Sequence, residues 1–172
     1  MKVKEVITMH ESPFEFDNIN RTGEVLVKYN TNGINGYKFY KNTQGGLLVF
    51  YLVDDNQIIA AVVGLPNNDY IQVKRVYVLD KYKGNNLAVK MYHGIIYSEF
   101  KNLMSDTEQT ASGKKVWQDI AKITPVKSLN LSTGDFGDIA DAYQETPDIV
   151  LVTDSPNLVE SLLIPNLKIL EN

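Results

Sequence analysis

The chain has 172 residues, enough for one domain whose core needs no covalent staple. Its composition, 44% hydrophobic and 22% charged, excludes a disordered or collagen-like chain, and the lack of cysteine excludes disulfides, thiolate metal sites and a cysteine nucleophile. A net charge of −4 argues against bulk affinity for nucleic acid.

Residues 2–9 alternate loosely and predict a strand; they lack the apolar core of a signal peptide. Residues 10–22 read as loop, and 24–29 as a short strand. Asn and Gly at 30–33 and 35–36 are turn chemistry. The apolar runs 47–53 and 58–65, separated by Asp54-Asp55-Asn56-Gln57, predict a β-hairpin. Residues 70–79 predict a third strand, with Ile71, Val73, Val76 and Val78 apolar. The period then changes. Leu87, Ala88, Met91, Tyr92, Ile95, Ile96 and Phe100 recur at spacings of one, three and four, which predicts a helix over 86–100 with one wide apolar face.

Residues 102–105 predict a short strand. A second helix is expected over 113–122, capped by Thr110 or Ser112, with Val116, Trp117, Ile120 and Ala121 on its core side and Pro125 beyond its end. Residues 126–131 and 148–153 predict strands on either side of an excursion at 132–144. A short helix at 157–163 and a closing strand at 167–170 complete the order. It predicts an α+β fold: a mixed, mostly antiparallel central sheet with helices packed on both faces, in one domain over 1–172. The longest apolar runs fall far short of the roughly 18 residues of a spanning helix. No membrane partner is expected, and the expected location is cytoplasmic. His10 and His93 stand apart without a ligand pattern, and the acidic Asp135, Asp138, Asp141 and Glu145 do not have EF-hand spacing, so no metal site is expected.

One segment carries chemistry. Strand 70–79 ends, the chain turns through Lys83, Gly84, Asn85 and Asn86, and the first helix begins at Leu87 and Ala88. A helix start exposes about four unpaired amides and a partial positive charge, a natural anion site. Lys81 and Lys83 add charge. The spacing alone fits a phosphate cradle or a plain strand-to-helix turn.

This stretch resembles the acetyl-coenzyme A motif of the GNAT superfamily of N-acetyltransferases, strand, then Pro-x-Tyr-Arg-Gly-x-Gly-x-Gly/Ala, then helix. Tyr77-Val78 stands at the strand end, Asp80 at the Pro position and Tyr82-Lys83-Gly84 at Tyr-Arg-Gly. Asn86 takes the middle Gly, and Ala88 matches the last position. The hairpin before and the helix–strand–helix after are in family order, and the similarity is best supported over 45–125. Residues 103–110, with Gly113 and Trp117, resemble phage-encoded members. The resemblance implies acetyl-CoA as cofactor. Tyr77 or Val78 would lie near its thioester carbonyl, and the backbone of Lys83, Gly84, Asn85, Asn86, Leu87 and Ala88 at its pyrophosphate. It implies direct transfer of acetyl to the amine of a small-molecule or protein acceptor.

Ser105, Asp106 and Glu108 follow the short strand where such an active site opens, and the two carboxylates are candidate bases. Capping and turn chemistry is the plainer reading of the same cluster. The family's usual tyrosine acid lies on the second helix, where this chain has Trp117; Tyr77, Tyr82 and Tyr92 are other phenols. An alternative is therefore a GNAT-like protein without turnover, acting as a protein-binding module, against a host protein if phage-encoded. A third reading is an assembly protein that associates through an edge strand at 167–170.

Overall fold

The computed structural model describes residues 18–29, 32–139 and 148–155. The readings placed on 2–9, most of 10–22, 157–163 and 167–170 lie largely or wholly outside that range, as do Asp141 and Glu145.

Among the described residues, nine strands form one sheet. They are β1 (Val25–Leu26), β2 (Lys38–Gln44), β3 (Leu47–Asp54), β4 (Gln57–Asn67), β5 (Tyr70–Val78), β6 (Asn102–Met104), β7 (Val126–Asn130), β8 (Phe136–Gly137) and β9 (Ile149–Thr153). Two helices, α1 (Leu87–Glu99) and α2 (Ala111–Ile120), and a 3₁₀ turn, Asp80–Tyr82, are set among them. The strand order is β1-β2-β3-β4-β5-β6-β9-β7-β8. Every neighbouring pair is antiparallel except β5 and β6, which are parallel and joined by the crossover of α1. The α+β class and the mixed, mostly antiparallel sheet are as the sequence predicts.

Local chemistry sets these elements. Asp55 and Asn56 at the tip of the β3–β4 hairpin have φ of 47° and 65°, the positive values a type I′ turn demands. Thr110 caps α2, its Oγ1 accepting the Gly113 N–H at 3.0 Å. β2 was not legible in the sequence: of its seven residues only Phe39 is buried. It is held as a strand by continuous pairing with β3, from Lys38 opposite Val53 to Gln44 opposite Leu47.

One face of the sheet, with Phe39, Phe50, Leu52, Ile59, Val62, Ile71 and Val73, packs on Met91, Tyr92, Ile95 and Ile96 of α1 and on Trp117 and Ile120 of α2. Burying side chains of this size stabilises by about 1.5–3 kcal/mol each before the entropy of ordering them is charged. The opposite face carries a second cluster of Val49, Tyr51, Val53, Ile58, Ala61 and Tyr77. Both described α-helices belong to the first cluster, so helices on both faces are met on one face only within the described residues. No helix among the described residues is long and apolar enough to cross a membrane.

Candidate functional site

The site begins with a break in the sheet. On the β4 side of β5, Val63 pairs with Arg75 and Gly64 with Val73, so Lys74 is an extra residue, a β-bulge. The bulge shifts the alternation: Ile71 and Val73 face the helices before it, and Val76 and Val78 after it. On its other side, β5 pairs with β6 only from Tyr70 opposite Asn102 to Gln72 opposite Met104. The chain then leaves β5 and follows β9, the Ser105 N–H donating to Leu151 O at 2.7 Å. From Val73 onward, β5 has no strand beside it on that edge among the described residues.

The hydrogen-bond phase shows which groups this leaves free. The Leu79 N–H donates to Ile59 O at 2.9 Å, so Ala60 and Val78 form a non-hydrogen-bonded pair. By alternation, Tyr77 and Arg75 direct their backbone bonds at β4, while Val76 and Val78 direct theirs into the break. This corrects one expectation. Tyr77 pairs its backbone with Ala61 and buries its ring in the second cluster, so it is turned away from the open edge, whereas Val78 is on it.

The break opens as a cleft of about 550 Å³, mouth included, walled by Val73, Val76, Tyr92, Asp106, Gln109 and Trp117. Trp117 is 2% exposed and stands edge-on to Tyr92 with ring centroids 5.8 Å apart, the core position its sequence predicts. Lys74 and Asp106 face each other across the mouth, Nζ to Oδ1 at 3.1 Å. The same Asp106 oxygen accepts the Thr107 N–H at 2.9 Å. Glu108 is exposed on the cleft wall and makes no ion pair among the described residues.

Ser105 is the candidate the structure removes. It is fully buried, its Oγ accepts the Leu151 N–H at 2.9 Å, and it does not line the cleft. Its role is to stitch β6 to β9.

At the far end of β5 lies the turn expected to cradle a phosphate. Tyr82 bolts the 3₁₀ turn to the β3–β4 hairpin, its hydroxyl donating to Asp54 Oδ2 at 2.6 Å. That carboxylate, with burial second, pushes the Tyr82 phenol up to about 12. Gly84 turns at φ +90°, and a Cβ built there meets nothing within 4 Å, so the turn faces open space. Asn86 follows at φ 55°, in the left-handed region that its amide side chain tolerates, so it adopts a backbone a glycine would. Asn86 caps α1 in position only, since its side chain makes no capping hydrogen bond. The first helical bond there is Lys90 N–H to Asn86 O at 3.0 Å, so the amides of Leu87 to Val89 have no acceptor within the helix. Around the turn, Asn85 Nδ2 donates to Tyr82 O at 3.0 Å and Lys83 pairs with Asp80 at 2.7 Å. Lys90 Nζ reaches Asn35 Oδ1 at 2.6 Å, which ties the 32–37 turn to the cradle.

No protein-family model and no curated protein matches the chain. Solved structures do. A GNAT family acetyltransferase from Elizabethkingia anophelis with acetyl-CoA bound is 18% identical over 64% of this chain and 76% of its own, with a TM-score of 0.40. The ribosomal-protein-S18-alanine N-acetyltransferase from Escherichia coli is 11% identical over 64% and 70%, with a TM-score of 0.41. A putative GNAT family acetyltransferase from Bacteroides thetaiotaomicron is 8% identical over 96% and 95%, with a TM-score of 0.43. Likeness this loose fixes neither activity nor ligand, which rest on the chain's own geometry.

The structure thus brings Val78, Lys83, Gly84, Asn85, Asn86, Leu87 and Ala88 together along one end of β5 and places Asp106 and Glu108 at the cleft. Lys74 and Gln109 were not anticipated. For Lys74 a signal existed in the shift of apolar positions from odd to even numbers between Val73 and Val76. For Gln109 there was none.

Proposed function

We propose that the chain binds acetyl-CoA along the free edge of β5 and transfers its acetyl group to an amine. The observation that carries this is the alignment of three features: a strand edge at Val76 and Val78 with no strand partner among the described residues, a cleft beside it, and an uncapped helix start at its end. The residues fit the cofactor. The backbone of Val76 and Val78 would hold an extended arm as it would an added strand. The amides of Leu87 to Val89 would hold the pyrophosphate, with Gly84 leaving the approach open and Lys83 adding charge. When bound, the cofactor would supply an activated acetyl group, the C–N bond to the amine forming as the C–S bond breaks and CoA leaves as its thiolate. Val73, Val76 and Trp117 give the cleft an apolar wall. Of the two carboxylates, Glu108 is the one left to take the amine's proton, because Lys74 and the Thr107 N–H hold Asp106.

A thermal-shift series with acetyl-CoA tests the binding half. A ligand at 100 times its Kd stabilises the native state by about 2.7 kcal/mol, so 1 mM acetyl-CoA raises Tm by several degrees if Kd is near 10 μM. No shift at that concentration defeats the proposal. Release of the CoA thiol with a panel of primary amines tests the transfer half. The Lys74–Asp106 pair favours a second reading, a scaffold that binds the cofactor without turnover and works through a protein partner; it predicts the same shift with no thiol released.

A further inference from the structure

Tyr92 occupies the cleft wall as a phenol without a partner. It is 1% exposed, stands edge-on to Trp117, and makes no hydrogen bond among the described residues. Among the described residues, Gln109 Oε1 is the side-chain polar atom that is both fully enclosed and unpaired. The Tyr92 oxygen is not so enclosed, so the small exposure of the residue includes its hydroxyl, at the wall it lines. A hydroxyl that opens on the cleft with no protein partner is free to bond to what enters it.

We propose that the Tyr92 hydroxyl is a binding group that donates a hydrogen bond to a carbonyl oxygen of the thioester arm lying in the cleft. The assignment rests on the cofactor reading above. A carbonyl is the matching chemistry because it accepts without needing to donate, and the arm of a coenzyme A thioester carries such oxygens in its amides and at its acyl carbon. Burial pushes the phenol up, so it holds its proton at neutral pH and acts as a donor.

The test is Tyr92→Phe, which keeps the ring and its packing on Trp117, studied by calorimetry on the full chain with three probes. Acetyl-CoA has every carbonyl, CoA lacks the acyl one, and 3′,5′-ADP lacks the arm. The expected result is an acetyl-CoA affinity about 3- to 10-fold weaker, the factor one neutral hydrogen bond supplies, with 3′,5′-ADP affinity and the Tm of the free protein unchanged. If CoA weakens equally, the partner is an arm amide; if only acetyl-CoA weakens, it is the acyl carbonyl; both support the proposal. Unchanged acetyl-CoA affinity overturns it, and so does an equal loss for 3′,5′-ADP. Wild-type protein that binds none of the three overturns the cofactor reading itself.

Discussion

Alanine at Gly64 has no room. An ideal Cβ there lies 2.5 Å from Ile71 Cγ2, about 1 Å inside the optimal carbon–carbon distance. Ile71 is 1% exposed and belongs to the main cluster, so it cannot swing into solvent. Clearing the overlap means moving core side chains or the strand pair beside the Lys74 bulge, a strain of about 1–3 kcal/mol. With a urea slope near 2 kcal/mol/M, that lowers the midpoint of unfolding by roughly 1 M. Gly113→Ala is the internal control. In α2 its Cβ meets only Thr110 Oγ1 at 3.4 Å and Gln109 Cβ at 4.0 Å, so the gain in helix propensity wins and the variant is more stable by about 0.5–1 kcal/mol. Equilibrium urea unfolding of both variants decides the matter. A Gly64→Ala protein as stable as wild type, or shifts of the same sign in both, would refute the close approach of β4 to Ile71.

Thr110→Ala removes the α2 cap and should cost about 0.5–2 kcal/mol in the same assay. At Asn86, glycine should be neutral or slightly stabilising because the left-handed backbone suits it, while Asn86→Val should lose about 1–2 kcal/mol by thermal unfolding. The pH dependence follows from Tyr82. Its folded pKa, about 12, lies above the unfolded value of 10, so its contribution is intact below pH 10 and is lost as pH rises through 12. Urea midpoints should therefore fall across that window in wild type, and fall less in Tyr82→Phe.

The elements with strong local patterns were legible. The β3–β4 hairpin, the two helices and β9 each announce themselves through apolar period and turn residues, and nothing distant overrides them. β2 was silent because one buried ring, Phe39, does not make an alternation; its strand state comes from β3. The place of β9 between β6 and β7 was also hidden, since strand order is set by long-range packing of Met104, Val150 and Val152. In the site, the turn Gly84–Ala88 is contiguous in sequence and was readable as a turn into a helix. The cleft is not. Tyr92, Asp106 and Gln109 meet only through the crossover of α1, and in sequence Tyr92 is one phenol among ten. Ser105 misled because a serine beside two acidic residues reads as chemistry, while its hydroxyl is consumed by the Leu151 N–H.

The central claim is one of place: a thioester cofactor lies against the open edge of β5 and ends on the start of α1. Amide hydrogen exchange with and without saturating acetyl-CoA measures that place directly. The account predicts new protection at Val76 and Val78 and at residues 84–89, with β7 to β9 unchanged. Protection confined to other segments, or none at saturation, would contradict it.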